Sequence, residues 1–342
     1  MKKIFFAIFA IAALVFNSCS NKVDLYADEG EYTIIYAMLD ADSDTNFVKV
    51  TKSFLGNASE LAYNYDANNY KYDEIDVTMT GKFNGSGSTQ TITLDTISKW
   101  IPYDPNATFY TGCYQRYYYT AKDLAEGESY QIDVLRKSDG VVSSAKCTTI
   151  NTYQYQKPNT AFLQFTDVVT SIATVEWRVT VPPFKSTASY FEVTGYFRYK
   201  ELQPGAQDTT YHYIQWNLGE GTADNLYNTS TSSPYYVISY SPSNLYSLIG
   251  SDRYLKENSP VGVKRYFDKF EFKVTGIGDE LYNYNLIANS TSAIQDMPNY
   301  TNVSNGYGIV SARVSKYKKV NIAELTRTKI ISKYPEYGFI SQ

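Results

Sequence analysis

With 342 residues, 35 of them tyrosine and 17 phenylalanine, the chain is long enough for two domains of ordinary size, and its composition is tilted toward sheet. A formal net charge of −4 without a basic block excludes nucleic acid as a partner, since phosphate binding needs clustered Lys and Arg to displace counterions. A single histidine excludes histidine-rich zinc sites, and the densest basic cluster, Lys316, Lys318 and Lys319, reads as a solvated strand end.

Lys2 and Lys3 precede an apolar run from Ile4 to Phe16, and Ser18 stands before Cys19. That pattern predicts a signal peptide over 1–18, too short to span a bilayer as a helix. A cysteine just after the apolar segment can take a diacylglyceryl group. Cys19 is therefore the expected lipidation site and 19–29 the tether, with an ordinary cleaved signal and an incidental Cys19 as the alternative.

The stretch "EYTIIYAMLD" from Glu31 predicts a strand apolar on both faces, and "FVKVTKSF" a second strand after the turn "ADSDTN". Residues 63–73, rich in tyrosine and polar groups, read as a surface excursion. Ile75, Val77 and Met79 alternate with polar neighbours, as do Ile92 and Leu94 beyond the "NGSGS" turn, which predicts a hairpin. Leu124, Gly127 and Tyr130 then precede the strand "YQIDVL", and "KSDG" turns into "VVSSAKCTTI". This spacing resembles the E–F corner and F–G hairpin of immunoglobulin-like and fibronectin type III sandwiches, with Tyr130 as the corner tyrosine whose hydroxyl bonds back to the backbone.

The expected fold is mainly β: such a sandwich over 30–150, a polar linker over 151–160, and a second β-rich domain with two or three short helices over 161–342. In that second unit Val175, Trp177, Val179 and Val181 alternate with Thr174, Glu176 and Arg178 until Pro182-Pro183 ends the strand. Phe191, Val193 and Phe197 alternate in the same way with Glu192, Thr194 and Arg198. Further strands are expected over 211–218, 235–240 and 269–275. One helix is expected from Ser241-Pro242, serine capping and proline at the first helical position, with Leu245, Leu248 and Leu255 inward. Others are expected over 280–289 and 321–334.

Candidate chemistry is sparse. His212 falls in phase with Ile214, Trp216 and Leu218, which reads as a packing residue; no Walker loop or G-x-S-x-G elbow occurs and no cofactor is expected. Asp40, Asp42 and Asp44 begin like a calcium loop, yet Thr45 stands where its glycine belongs and Thr51 where its last acid belongs, so a solvated hairpin turn is the competing reading. Asp73, Glu74, Asp76 and Glu176 are the acids available to a carboxylate hydrolase, with Glu176 on the polar, solvated face of its strand. Cys113 and Cys147 are an even pair that a disulfide could join, although Cys147 also alternates in phase with Ser143 and Ala145 as a small buried hydrophobe. Tyr63, Tyr65, Tyr70, Tyr72, Tyr117 and Tyr118 are amphipathic groups able to stack on sugars or anchor a partner, or else part of the general composition.

In "NYTNVSNGYGIVSARVSK" (299–316), Asn302, Asn305, Gly306 and Gly308 tolerate positive φ, and the alternation after Gly308 predicts a strand. A tight loop setting the register of that strand is the expected role. The lipobox, "YTIIYAMLDADSDTNFVKVTKSFLG", "LAEGESYQIDV", "SYFEVTGYFRYKE" and "QDMPNYTNVSNGYGIVSARV" together resemble successive landmarks of Bacteroidetes envelope lipoproteins classed by a domain of unknown function. Pro298, Tyr300, Asn302, Asn305, Gly306, Gly308 and Ile309 match that family's C-terminal motif, while Val310 stands where relatives often carry an aromatic. The resemblance implies a lipid-anchored outer-membrane protein, periplasmic or surface-facing, often encoded near TonB-dependent receptors. Three functions follow as expectations: a non-enzymatic binding or accessory module for a glycan, a peptide or an outer-membrane transporter; a structural or adhesive surface protein; and a carboxylate hydrolase.

Overall fold

A computed structural model describes residues 31–53, 71–104, 112–229, 232–289 and 300–341. The protein is mainly β. The first part of the chain forms β1 (Thr33–Leu39), β2 (Asn46–Lys52), β3 (Ile75–Gly81), β4 (Gln90–Thr93), β5 (Asp95–Ile101), β6 (Cys113–Thr120), β7 (Ser129–Arg136) and β8 (Val142–Thr148). Side by side, β1-β2-β6-β5 make one sheet and β8-β7-β3-β4 the facing one. Ile35, Ala37, Val48, Val50 and Tyr118 from the first pack on Val77, Met79, Ile132, Val134 and Ala145 from the second, so period-two alternation supplies both inner faces. Labelled A to G, these orders are A-B-E-D and G-F-C-C′, the immunoglobulin-like arrangement expected from the corner motif. The corner is formed: the Tyr130 hydroxyl donates to the Lys82 carbonyl and accepts from the Ala125 N–H at 2.6 Å. Leu124 is buried, and Gly127 sits at φ +66° where a β-carbon would press on the Asn151 amide.

The remaining elements are β9 (Tyr153–Lys157), β10 (Phe162–Leu163), β11 (Ala173–Val179), β12 (Tyr190–Leu202), β13 (Thr210–Thr222), α1 (Ala223–Leu226), β14 (Tyr227–Asn228), β15 (Tyr235–Tyr240), α2 (Asn244–Ser251), α3 (Arg253–Glu257), β16 (Lys264–Ile277), α4 (Asp279–Asn289), β17 (Val303–Ser304), β18 (Gly306–Ile322), α5 (Glu324–Lys333) and β19 (Phe339–Ile340). A four-stranded sheet β14-β15-β11-β9 packs on β12, β13, β16 and β18 around Trp177, Phe191, Tyr236, Phe270 and Phe272.

β18 joins the two halves. Its first part, Gly306 to Ala312, runs parallel to β1, and its second, Arg313 to Asn321, runs antiparallel to β16. One sheet, β13-β12-β16-β18-β1-β2-β6-β5, therefore crosses the whole molecule. Val303 and Val310 complete the first core, whereas Ala312, Val314, Val320 and Ile322 lie in the second.

Several expectations are corrected. Residues 151–160 carry β9, paired with β11, and buried Tyr153 donates its hydroxyl to the Val274 carbonyl at 2.9 Å; a polar-looking segment can be a strand when its tyrosines point inward. Glu176 is buried rather than solvated, because Lys157 folds across it at 2.9 Å and the Thr174 hydroxyl donates to it at 3.0 Å. The Ser241-Pro242 signal makes a turn, with the helix beginning at Asn244; Asp252 ends that helix and caps α3 by accepting from the Leu255 N–H at 2.8 Å. The helix expected from 321 starts at Glu324, since Asn321 and Ile322 still pair with β10.

Candidate functional site

Strict alternation along β12 sends Phe191, Val193 and Phe197 into the core and leaves Tyr190, Glu192, Thr194 and Tyr196 on the outer face. Its partner β13 places Glu220 directly opposite Glu192 and Thr222 opposite Tyr190. Across the end of these strands lies α4, pinned to β18 where the Leu281 N–H donates to the Ser311 hydroxyl at 3.1 Å, and that hydroxyl donates to Glu280 at 3.3 Å. Burial holds the Glu280 carboxyl above its usual range, with the Ser311 bond opposing. Ser189 donates its hydroxyl to Asp279 at the start of the same helix.

Strands and helix enclose an open cleft of about 520 Å³. Tyr190 and Tyr282 stack in its wall, ring centroids 5.1 Å apart and planes inclined by 18°. Glu192, Glu220, Asn285 and half-exposed Leu286 also line it. Cross-strand partners on one face bring their β-carbons within roughly 5 Å, and like charges there repel. Among the described residues neither Glu192 nor Glu220 forms an ion pair, although Arg198, further along the same face, is bonded to Glu271 at 2.5 Å. The Tyr190 phenol is raised by its burial, then by Glu220 and Glu192. Its described lining residues thus offer aromatic surface, an amide and two carboxylates.

Most residues singled out from sequence lie elsewhere. Cys19, Tyr63, Tyr65 and Tyr70 fall outside the described residues. Tyr72 and Tyr118 are buried, correcting their reading as contact residues; the Tyr72 hydroxyl bonds to that of Thr33 at 3.1 Å. Tyr117 is half-exposed on the outer face of β6, edge-on to Phe47 at 6.4 Å, with the Lys99 ammonium 3.4 Å above the Phe47 ring. These residues are engaged with one another on the outer face of the sheet.

Cys113 and Cys147 are free thiols, so the disulfide is corrected. Cys147 pairs with Tyr130 near the corner, whereas Cys113 pairs with Ile101 at the far end of β6, some 23 Å along the strand from Thr120. Asp40, Asp42 and Asp44 do not converge on a cation position. The Asp40 carboxylate accepts from the Asp42 N–H at 2.9 Å in a local turn, and Asp42 pairs with Lys316 at 2.7 Å. No group of three or more His, Cys, Asp or Glu among the described residues could hold a metal ion. His212 is stacked between Tyr199 and Tyr254, 5.5 and 4.7 Å away. Asp76 pairs with Lys137 at 2.9 Å on the opposite sandwich sheet.

The C-terminal motif is a fold device. The Asn302 side chain accepts from the Val310 N–H at 3.0 Å and donates to the Val310 carbonyl at 2.7 Å; Asn305, at φ 53°, donates to the Val142 carbonyl at 3.1 Å. Neither they nor Gly306 or Gly308 lines the cleft. Sequence reading assigned Glu192 to a polar face but missed its pairing with Glu220, because the register slips by one residue at Val193 and Thr194. Comparison with protein-family models and with curated proteins finds no match.

Proposed function

We propose that the protein is a non-enzymatic binding module of the cell envelope, held at the outer membrane by a lipid on Cys19, with its ligand in the cleft between β12, β13 and α4. The observation that carries this reading is the stacked Tyr190–Tyr282 pair in an open cleft of about 520 Å³. Pre-formed concavities with aromatic walls and a few polar groups are where proteins take small ligands or side chains. A hydrolase is less well supported, because Glu220 is exposed and Glu192 only half-buried, whereas a carboxyl serving as general acid needs an apolar surrounding. The N-terminal segment supports the anchor, and the family resemblance supports an accessory role beside an outer-membrane transporter.

One observation favours the second, adhesive reading: β13 ends the long sheet, and among the described residues no strand pairs with its outer edge, where a strand from another chain could add. Binding of peptide and oligosaccharide panels to the full chain and to Tyr190→Ala tests the first. Loss of binding in the variant at unchanged melting temperature supports the cleft, and equal binding overturns it. Cys19→Ala tests the anchor, which fails if the variant stays in the membrane fraction at the wild-type level.

A further inference from the structure

We infer that the cleft takes a cationic group, an ammonium or guanidinium presented by an extended basic peptide, in preference to a neutral or acidic sugar. The inference rests on the reading of the cleft as the binding site and names the chemistry of what fills it.

Three features converge. Glu192 and Glu220 stand side by side in register on the cleft wall, and among the described residues neither has a basic partner. On the first turn of α4, Asp279 accepts from the Ser189 hydroxyl, and the bases of this face, Lys273 opposite Thr194 and Arg313 opposite Ile277, form no ion pair with Glu192 or Glu220 among the described residues. This contrasts with the next acids on the same sheet face, Glu271 and Asp268, which both lie against Arg198, with Lys319 a further partner of Glu271. Placing a cation between Glu192 and Glu220 would turn a repulsive pair into two charge-assisted hydrogen bonds.

The aromatic wall suits the same guest. Tyrosine faces carry negative potential and attract ammonium and guanidinium groups, and the stacked Tyr190–Tyr282 pair borders the two carboxylates. A metal ion is the poorer fit, because hard divalent cations need six or more oxygen ligands, while only two carboxylates meet here.

The form of the ligand follows from the strand that carries Glu220. β13 has one neighbour, β12, and its far edge has no strand partner among the described residues. An extended peptide adding to that edge would alternate its side chains above and below the sheet. Those on the outer side would run along the row Tyr211, Tyr213, Gln215, Asn217 and Glu220, all exposed, and a lysine or arginine among them reaches the carboxylates at the end of the row.

The test measures equilibrium binding of the full chain to three probes: a blocked octapeptide alternating lysine with threonine, the same peptide with glutamate for lysine, and a neutral linear hexasaccharide. The lysine peptide is expected to bind at least about tenfold more tightly than its glutamate counterpart, with the preference shrinking as salt rises from about 50 to 500 mM. Glu192→Gln/Glu220→Gln should remove the preference without lowering the melting temperature, and Tyr190→Ala should weaken binding of the lysine peptide. Hexasaccharide binding that exceeds peptide binding, survives the double glutamine variant and is lost in Tyr190→Ala overturns the cationic assignment while leaving the cleft as the binding site. Binding of any probe that is indifferent to Tyr190→Ala, or no binding by all three, overturns both.

Discussion

Gly308 faces Ile35 across the parallel pairing of β18 with β1, at φ +114°, and a β-carbon on it would overlap the Ile35 carbonyl oxygen. This is the point where the C-terminal strand enters the first core, between Val303 and Val310. Gly308→Ala combines a left-handed backbone with that overlap, so a loss of about 2 kcal/mol or more is expected. Urea unfolding at neutral pH measures it, and a midpoint equal to the wild type would mean that β18 seats differently on β1.

Local chemistry made much of this architecture legible. Alternation in "IDVTMT", "TVEWRV" and "YYVISY" marks β3, β11 and β15, and Leu124, Gly127 and Tyr130 mark the sandwich corner. Pairing between distant segments was not legible, because nothing local specifies a parallel partner: Thr33 meets Gly306, and the two units share β18. Burial of tyrosine misled in β9, where Tyr153 reads as polar yet is nearly inaccessible because backbone groups of β16 and β18 satisfy its hydroxyl. The cleft was hidden for both reasons, since it needs the β12–β13 register with its bulge and the docking of α4 through Ser311.

Tyr130 ties the corner with one hydroxyl, donating to Lys82 and accepting from Ala125, while its ring packs edge-on against Phe83 at 5.6 Å. Tyr130→Phe keeps the ring and removes both hydroxyl bonds, leaving the Ala125 N–H and the Lys82 carbonyl bonded only to each other at 3.2 Å. The expected cost is about 0.5–1.5 kcal/mol, the net contribution of an ordinary hydrogen bond. Tyr114→Phe, at an exposed position, should stay within about 0.5 kcal/mol. Equal effects at the two positions would show that the corner bond contributes nothing.

Arg265 and Glu201 form an ion pair sealed inside the second unit, Nη2 to Oε2 2.6 Å, with both side chains essentially inaccessible. Burial alone would raise the Glu201 carboxyl, but bonds from Tyr254, Gln203 and Arg265 outweigh it and hold the group below its ordinary value of 4.5. A carboxyl lowered in the folded state stabilises the fold above the unfolded value, and that contribution is lost as the pH falls through the folded one. Stability should therefore decline on acidification below about pH 4.5, and Glu201→Gln should flatten this part of the decline. Arg265→Met, which leaves the buried Glu201 carboxylate without its guanidinium and held only by neutral donors such as Tyr254 and Gln203, should cost about 3–5 kcal/mol at neutral pH. Urea midpoints at pH 7 and at steps below 4.5 check both, and an unchanged acid limb in Glu201→Gln would refute the assignment.

Glu192 and Glu220 are cross-strand partners at the wall of the cleft. Directly opposite like charges in a sheet cost on the order of 0.2–1 kcal/mol, so replacing either with glutamine should raise stability by a similar amount while weakening the binding of a cationic ligand. Either single change removes the whole repulsion, so the double variant should gain little more than each single one, a non-additive cycle that distinguishes a pair effect from two independent surface changes. Adding salt should stabilise the wild type relative to the variants, because it screens the same repulsion. Glu128→Gln supplies the contrast, since Glu128 already pairs with Lys82 at 2.7 Å and its loss should be neutral or slightly destabilising. If Glu192→Gln and Glu220→Gln each destabilise, or if their effects simply add, the two carboxylates do not repel in the folded protein. Stabilisation by either glutamine, joined to a loss of binding to the lysine peptide, would be the signature of stability traded for the proposed cationic ligand.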